Sequence, residues 1–171
     1  MKKFPGVLVL MAALFAFAAP ASAQFQIGGG LGYLFDREED FLLIHGDARI
    51  DLSGSPFVIN PKLTYFLGDG TMWQIDGNLL YNLLLADASR FHPYVGAGVG
   101  INRFSFDTNV PGGEDFSETT VGLNLVHGTR ITMNNSPLEL FGHLQYFFAN
   151  DFQNQMILYA GVLVRVGGGG Q

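Results

Sequence analysis

From Gln24 to Val166, apolar and polar positions alternate with a period of two, and clusters of turn-forming residues interrupt the alternation at short intervals. This is the pattern of strands whose two faces meet different surroundings. The interruptions divide the chain into eight predicted strands, over 24–35, 41–52, 57–67, 72–85, 91–106, 119–131, 138–149 and 154–166. Turn chemistry separates them at Ser53-Gly54-Ser55-Pro56, Gly68-Asp69-Gly70, Asp87-Ala88-Ser89-Arg90 and Asn134-Asn135-Ser136-Pro137, and the one long connection, 107–118, carries Pro111-Gly112-Gly113. No connection leaves room for a crossover helix, so the expected fold is all-β, an antiparallel up-and-down meander. Pro61 lies mid-strand, where it cannot donate to a ladder, and predicts a local bulge.

The parity of each strand says which solvent its faces meet. In the second strand Leu42, Ile44, Gly46, Ala48, Ile50 and Leu52 oppose Phe41, Leu43, His45, Asp47, Arg49 and Asp51. In the third, Phe57, Ile59, Pro61, Leu63, Tyr65 and Leu67 oppose Val58, Asn60, Lys62, Thr64 and Phe66; in the fourth, Trp73, Ile75, Gly77, Leu79, Tyr81, Leu83 and Leu85 oppose Gln74, Asp76, Asn78 and Asn82. One face is almost free of charge. The other mixes glycine, amides and single charges of both signs, which suits the inside of a narrow tube better than a surface in water. A soluble barrel would carry its apolar face inside, whereas a membrane barrel carries it outside. The pattern selects an eight-stranded antiparallel up-and-down transmembrane β-barrel, whose interior is just wide enough to be filled by side chains. Closure also removes every strand edge that lipid could not satisfy.

Composition and the first residues add location. Only 14% of the residues are charged and 48% are hydrophobic, with no cysteine. Residues 1–23 run from Lys2 and Lys3 through an apolar stretch, Val7 to Ala19, to Ala21-Ser22-Ala23. This is the layout of a cleaved signal peptide, too short in its apolar part for a spanning helix of about 20 residues. The expected organisation is therefore a signal peptide, 1–23, and a barrel domain, 24–171. Losing Lys2 and Lys3 from nine basic residues leaves seven against fifteen acidic ones, a net charge of -8. The basic residues are scattered singly, which excludes a nucleic-acid footprint.

Phe91-His92-Pro93-Tyr94-Val95-Gly96-Ala97-Gly98-Val99-Gly100, a Pro-Tyr start followed by alternating glycine, resembles the fifth strand of the small OmpA/OmpX-like outer-membrane barrels. With the signal peptide and the eight-strand spacing, the resemblance extends over the mature chain. It implies an integral protein of the bacterial outer membrane, inserted by the outer-membrane assembly machinery, with a structural, adhesive or surface-interaction role. It carries over no catalytic residue and no cofactor. Such barrels commonly end on an aromatic residue; here the strand pattern ends at Arg165-Val166 and is followed by glycines.

Counted from a periplasmic amino terminus, loops 36–40, 68–71, 107–118 and 150–153 fall outside and the turns near 53, 87 and 134 inside, so the longest loop is extracellular, as membrane barrels require. Tyr33, Phe35, Tyr65, Trp73, Tyr146 and Phe148 gather toward the outer rim and Phe25 and Phe57 toward the inner one, as candidate aromatic girdles. Acidic residues crowd the outer loops (Asp36, Glu38, Glu39, Asp40, Asp69, Asp107, Glu114, Asp115, Glu118 and Asp151). They read as a solvated surface, or as a divalent-cation bridge to lipopolysaccharide phosphates with outward Arg103 as a direct contact. His45, Asp47, Arg49, Asp51, Lys62, Asp76, Arg130, Glu139, His143 and Arg165 all face the lumen. They form an expected salt-bridge network, with a proton or ion path as the alternative, because charges in so narrow a space must pair or lose several kcal/mol each to desolvation, of order 20 in the Born limit. Glu139 and His143 are too far apart along a strand for one metal, about 13 Å. His127, Thr129 and Glu139 faintly resemble the residue set of a lipid A deacylase, but parity puts the first two outside and the third inside. The reading is a monomeric, non-enzymatic barrel in contact with lipid and lipopolysaccharide, with a narrow pore and a lipid A-modifying enzyme as alternatives.

Overall fold

The structure is a computed structural model, and it describes residues 24–35, 41–68, 70–83, 90–106, 116–134, 136–149 and 154–166. The expected signal peptide, 1–23, and most of the acidic loop residues lie outside them. Eight strands follow one another as β1 (Gln24–Phe35), β2 (Phe41–Asp51), β3 (Phe57–Leu67), β4 (Thr71–Asn82), β5 (Phe91–Phe106), β6 (Phe116–Thr132), β7 (Leu138–Ala149) and β8 (Gln155–Val166). Each pairs antiparallel with its neighbours, and β8 pairs with β1 to close the barrel. The sixth strand begins three residues earlier than its alternation predicts, because Phe116, Ser117 and Glu118 extend the ladder against Phe106, Ser105 and Phe104. The fourth ends at Asn82 rather than at residue 85.

Register fixes the shape. Following paired residues from Phe25 through Ile50, Ile59, Leu79, Ala97, Leu125, Tyr146 and Met156 leads back to β1 at Phe35, ten residues above the start. Eight strands with that offset must tilt by about 40° from the barrel axis. The end of the barrel that holds Gln24, Val166 and the turn at 52–56 is the terminal end, and the other is the loop end. At the terminal end Ser55 donates its backbone N–H to Leu52 O (3.0 Å), with Gly54 at φ 71° in the left-handed region that L side chains avoid.

Pro61 does not produce the expected bulge. The pairing Asp47 with Lys62 resumes as Ile50 with Ile59, three residues on along both strands, so no residue is inserted. Only the Ala48 and Arg49 positions drop out of the β2–β3 ladder, while the β3–β4 ladder is unbroken through Pro61 and Gly77. Asn60 supplies the missing donor: its Nδ2 bonds Ala48 O at 2.9 Å. A side-chain amide thus stands in for the N–H that proline lacks, and the strand keeps its register.

Candidate functional site

The distribution of polarity is inside out. Val121, Leu123, Leu31 and Val99 are 64%, 62%, 57% and 56% exposed, while Asp47, Arg49, Lys62 and Asp76 are 2%, 1%, 2% and 1% exposed. Every strand repeats this, from Ile27 and Leu31 on β1 to Leu158, Val162 and Val164 on β8, so the exposed apolar residues form a continuous belt. The largest apolar patch on a soluble monomer covers roughly 300–600 Å², and a belt right round a barrel exceeds that.

The interior is layered along the axis. At the terminal end Glu139 accepts hydrogen bonds from Arg165 (2.5 Å) and Gln26 (3.1 Å), with Arg130 at 3.6 Å from its second oxygen. Arg130 also donates to Asn82 (3.0 Å) and lines, with Asp51, His92 and Thr132, an open vestibule. Above it the Arg49 guanidinium lies between the rings of Tyr94 and Phe141, 4.8 Å from each centroid, and donates to Tyr94 Oη (3.0 Å) and Asp47 (3.3 Å). Val58, Leu80 and Val126 pack beside Tyr94 at about this height.

The middle layer centres on Lys62. Its ammonium bonds Gln145 Oε1, stands 3.5 Å from both Asp76 and His143 Nε2, and sits 3.6 Å from the centroid of the Tyr159 ring. Asp76 accepts from Gln74 (2.7 Å) and Asn124 (2.8 Å), Asp47 accepts from Asn60 (2.9 Å), and Tyr94 Oη meets His143 Nδ1 at 3.1 Å. His45 packs edge-on to Tyr159, 4.9 Å between centroids, and neither ring nitrogen has a partner among the described residues. At the loop end Leu34, Leu43, Phe66 and Ile157 close the tube with Phe41 and Met72 against them, beside an amide row formed by Gln74, Asn102 and Gln155. A solute passing through would have to displace ion pairs and then an apolar layer.

Solved structures share this architecture. Neisserial surface protein A gives a TM-score of 0.64 at 19% identity, covering 84% of this chain and 97% of that one. The N-terminal β-barrel domain of Pseudomonas aeruginosa OprF gives 0.63 at 11% identity, covering 85% and 100%. The attachment invasion locus protein Ail of Yersinia pestis gives 0.58 at 12% identity, covering 84% and 97%. The fold is that of the small eight-stranded outer-membrane barrels. No family model and no curated protein sequence matches the chain.

On this outer-membrane-barrel fold the residues singled out by parity fall as follows. Nine of the ten lumen charges meet one another or a polar or aromatic interior side chain, as described above; the tenth, Asp51, is half-buried and lines the vestibule. Arg165 reaches in from the rim, its side chain 43% exposed. Parity gave less weight to the neutral partners Gln26, Asn60, Asn124, Gln145, Tyr94 and Tyr159, all buried. They occupy the same inward positions, so the signal that finds the charges finds them too. Tyr33, Phe35, Tyr65, Trp73, Tyr146 and Phe148 lie outward near the loop end: Tyr65 pairs with Trp73, Tyr33 is 4.9 Å from Phe35, and Tyr146 stacks with Phe148. Arg103 is half-buried beside Trp73 and Thr119. The faint deacylase set does not converge, since His127 is exposed on the belt, Thr129 bonds Arg130 O (3.4 Å) and Glu139 is inside with Arg165. His143 and Glu139 engage different partners, and no metal-sized group of three His, Asp or Glu exists among the described residues.

Proposed function

We propose that this chain is an integral protein of the bacterial outer membrane, carried there by its signal peptide and inserted by the assembly machinery, with a structural or surface-interaction role and no catalytic centre. The inverted polarity carries this reading: an apolar belt closed on itself has hydrocarbon as its only favourable surroundings, and a barrel satisfies every backbone group within it. The girdle residues would then mark headgroup depth, with Arg103 beside Trp73 placed to meet a lipopolysaccharide phosphate. Cysteines introduced at Leu79, Val99 or Leu140, all outward, are expected to resist a bulky water-soluble maleimide in intact membranes and to react after detergent extraction and unfolding. The folded protein should also migrate differently on gels when boiled and unboiled. Ready labelling in intact membranes would reverse the assignment of the faces.

The pore reading makes a separate prediction. With Lys62, Arg49 and their partners filling the bore between the vestibule and the Leu34 layer, planar bilayers containing the purified barrel should show no discrete conductance steps. Reproducible unitary steps that vanished in a Lys62 variant would establish conduction.

A further inference from the structure

One pair of polar residues breaks the belt. On the outward face of β6, Ile131, Thr129, His127, Leu125 and Leu123 succeed one another. Ile131 pairs with Phe91 near the terminal-end aromatics, and Leu123 pairs with Phe148 of the loop-end girdle. His127 stands four positions from Ile131 and two from Leu125, which pairs with Tyr146 of the same girdle, so it faces the belt between the two girdles, exposed. Among the described residues, the other outward side chains between the girdles are aliphatic, aromatic, glycine or proline, and the His127 ring has no hydrogen-bond partner. Ionisable groups at this depth are costly and tend to mark a function.

Lipid offers nothing to satisfy an imidazole there, since headgroups and water lie at the two faces of the bilayer. Protein does. Beside His127 and Thr129 lie small outward residues: Gly142 pairs with Thr129, Ala160 with Gly142, and Ala97 with Leu125. Gly142 is not required by the barrel's own packing, because a Cβ built there would meet only Tyr159 O at 3.6 Å, an ordinary contact. Small residues let two membrane-embedded walls approach closely enough for polar side chains to bond across them.

We propose that the β5–β6–β7 wall around His127 is a contact face for a second copy of this chain. The patch is self-complementary: His127 can donate to Thr129 Oγ1 of the other copy, whose hydroxyl proton is directed to Arg130 O (3.4 Å), and a twofold axis repeats the bond. This inference rests on the membrane-spanning reading and departs from the monomer expected from the sequence.

The test is sedimentation equilibrium of the folded mature chain in density-matched detergent, with cross-linking in membranes. The parent is expected to associate reversibly. His127→Leu and Gly142→Leu should each weaken dimerisation at least tenfold, whereas Gly46→Leu on the opposite wall, where an added Cβ meets nothing within 4 Å, should not. The chain has no cysteine, so Leu144→Cys, next to His127, should cross-link to itself through a short bis-maleimide and Leu63→Cys should not. A parent that stays monomeric at every protein-to-detergent ratio, equal cross-linking at the two positions, or capture at Leu144→Cys only of a different protein would each overturn the proposal. Heat-modifiable migration of the same samples reports the barrel itself. If it persists while association is absent, the interface fails and the membrane reading stands; if the parent lacks it, the membrane reading has failed first.

Discussion

Lys62→Ala is expected to lower the unfolding free energy in lipid vesicles by about 3–5 kcal/mol, the range found when one partner of a buried ion pair is removed. Lys62 is 2% exposed and is the cation facing Asp76, which is 1% exposed. Its loss leaves that carboxylate with amide donors only, Gln74 and Asn124, and leaves Gln145 without its donor. It also removes the cation from the Tyr159 face. Pairing Lys62→Met with Asp76→Leu should recover part of the loss, because two apolar residues of similar volume remove the uncompensated charge as well as the pair. Arg49→Ala and Glu139→Ala should be destabilising in the same direction, Glu139 less so because its partner Arg165 is half open to water. Urea titrations followed by the folded and unfolded gel bands measure all of these. A Lys62→Ala midpoint equal to that of an exposed turn substitution such as Ser55→Ala would remove the network from the account of stability.

The second large effect is expected at the seam between the first and last strands. A Cβ built on Gly28 would lie 1.9 Å from Val162 O, and one on Gly30 would lie 2.0 Å from Ala160 O. These are backbone atoms held by the β1–β8 ladder, so no rotamer change relieves the overlap and the strands must part. Gly28→Ala should therefore cost more than the roughly 1–3 kcal/mol of ordinary overpacking, and it acts where the barrel closes. Refolding from urea into vesicles should give a smaller folded fraction than the parent. Gly46→Ala is the matched control: it sits against Gly29 in the neighbouring ladder, with open space where its Cβ would go, and should refold like the parent. Equal yields would mean that the seam is loose enough to absorb a methyl group.

The glycines show how far sequence reading reaches. Alternating glycine on the polar face suits a narrow tube, and at Gly100 it relieves side-chain crowding, since a Cβ there would lie 2.5 Å from Asp76 Oδ1 and 3.1 Å from the Phe147 ring. At Gly28 and Gly30 the crowding comes from the backbone of β8, and nothing near those residues in the chain announces it. Pro61 is similar. Its missing donor is a local fact that predicted a bulge, but the remedy depends on Asn60 facing Ala48 across the β2–β3 ladder.

Strand number, the strand boundaries (six of the sixteen shifted, by only one to three residues) and the assignment of each side chain to interior or belt all follow from the period of two, which is a property of the extended backbone itself. The inward charges were legible for the same reason. Which of them meet was not. Gln26 reaches Glu139 across 113 positions and Lys62 reaches Gln145 across 83, because the ten-residue offset on closing the barrel decides which inward residues share a height. Alternation tells each residue which way to face, whereas only the closed and sheared sheet tells it whom it will find there.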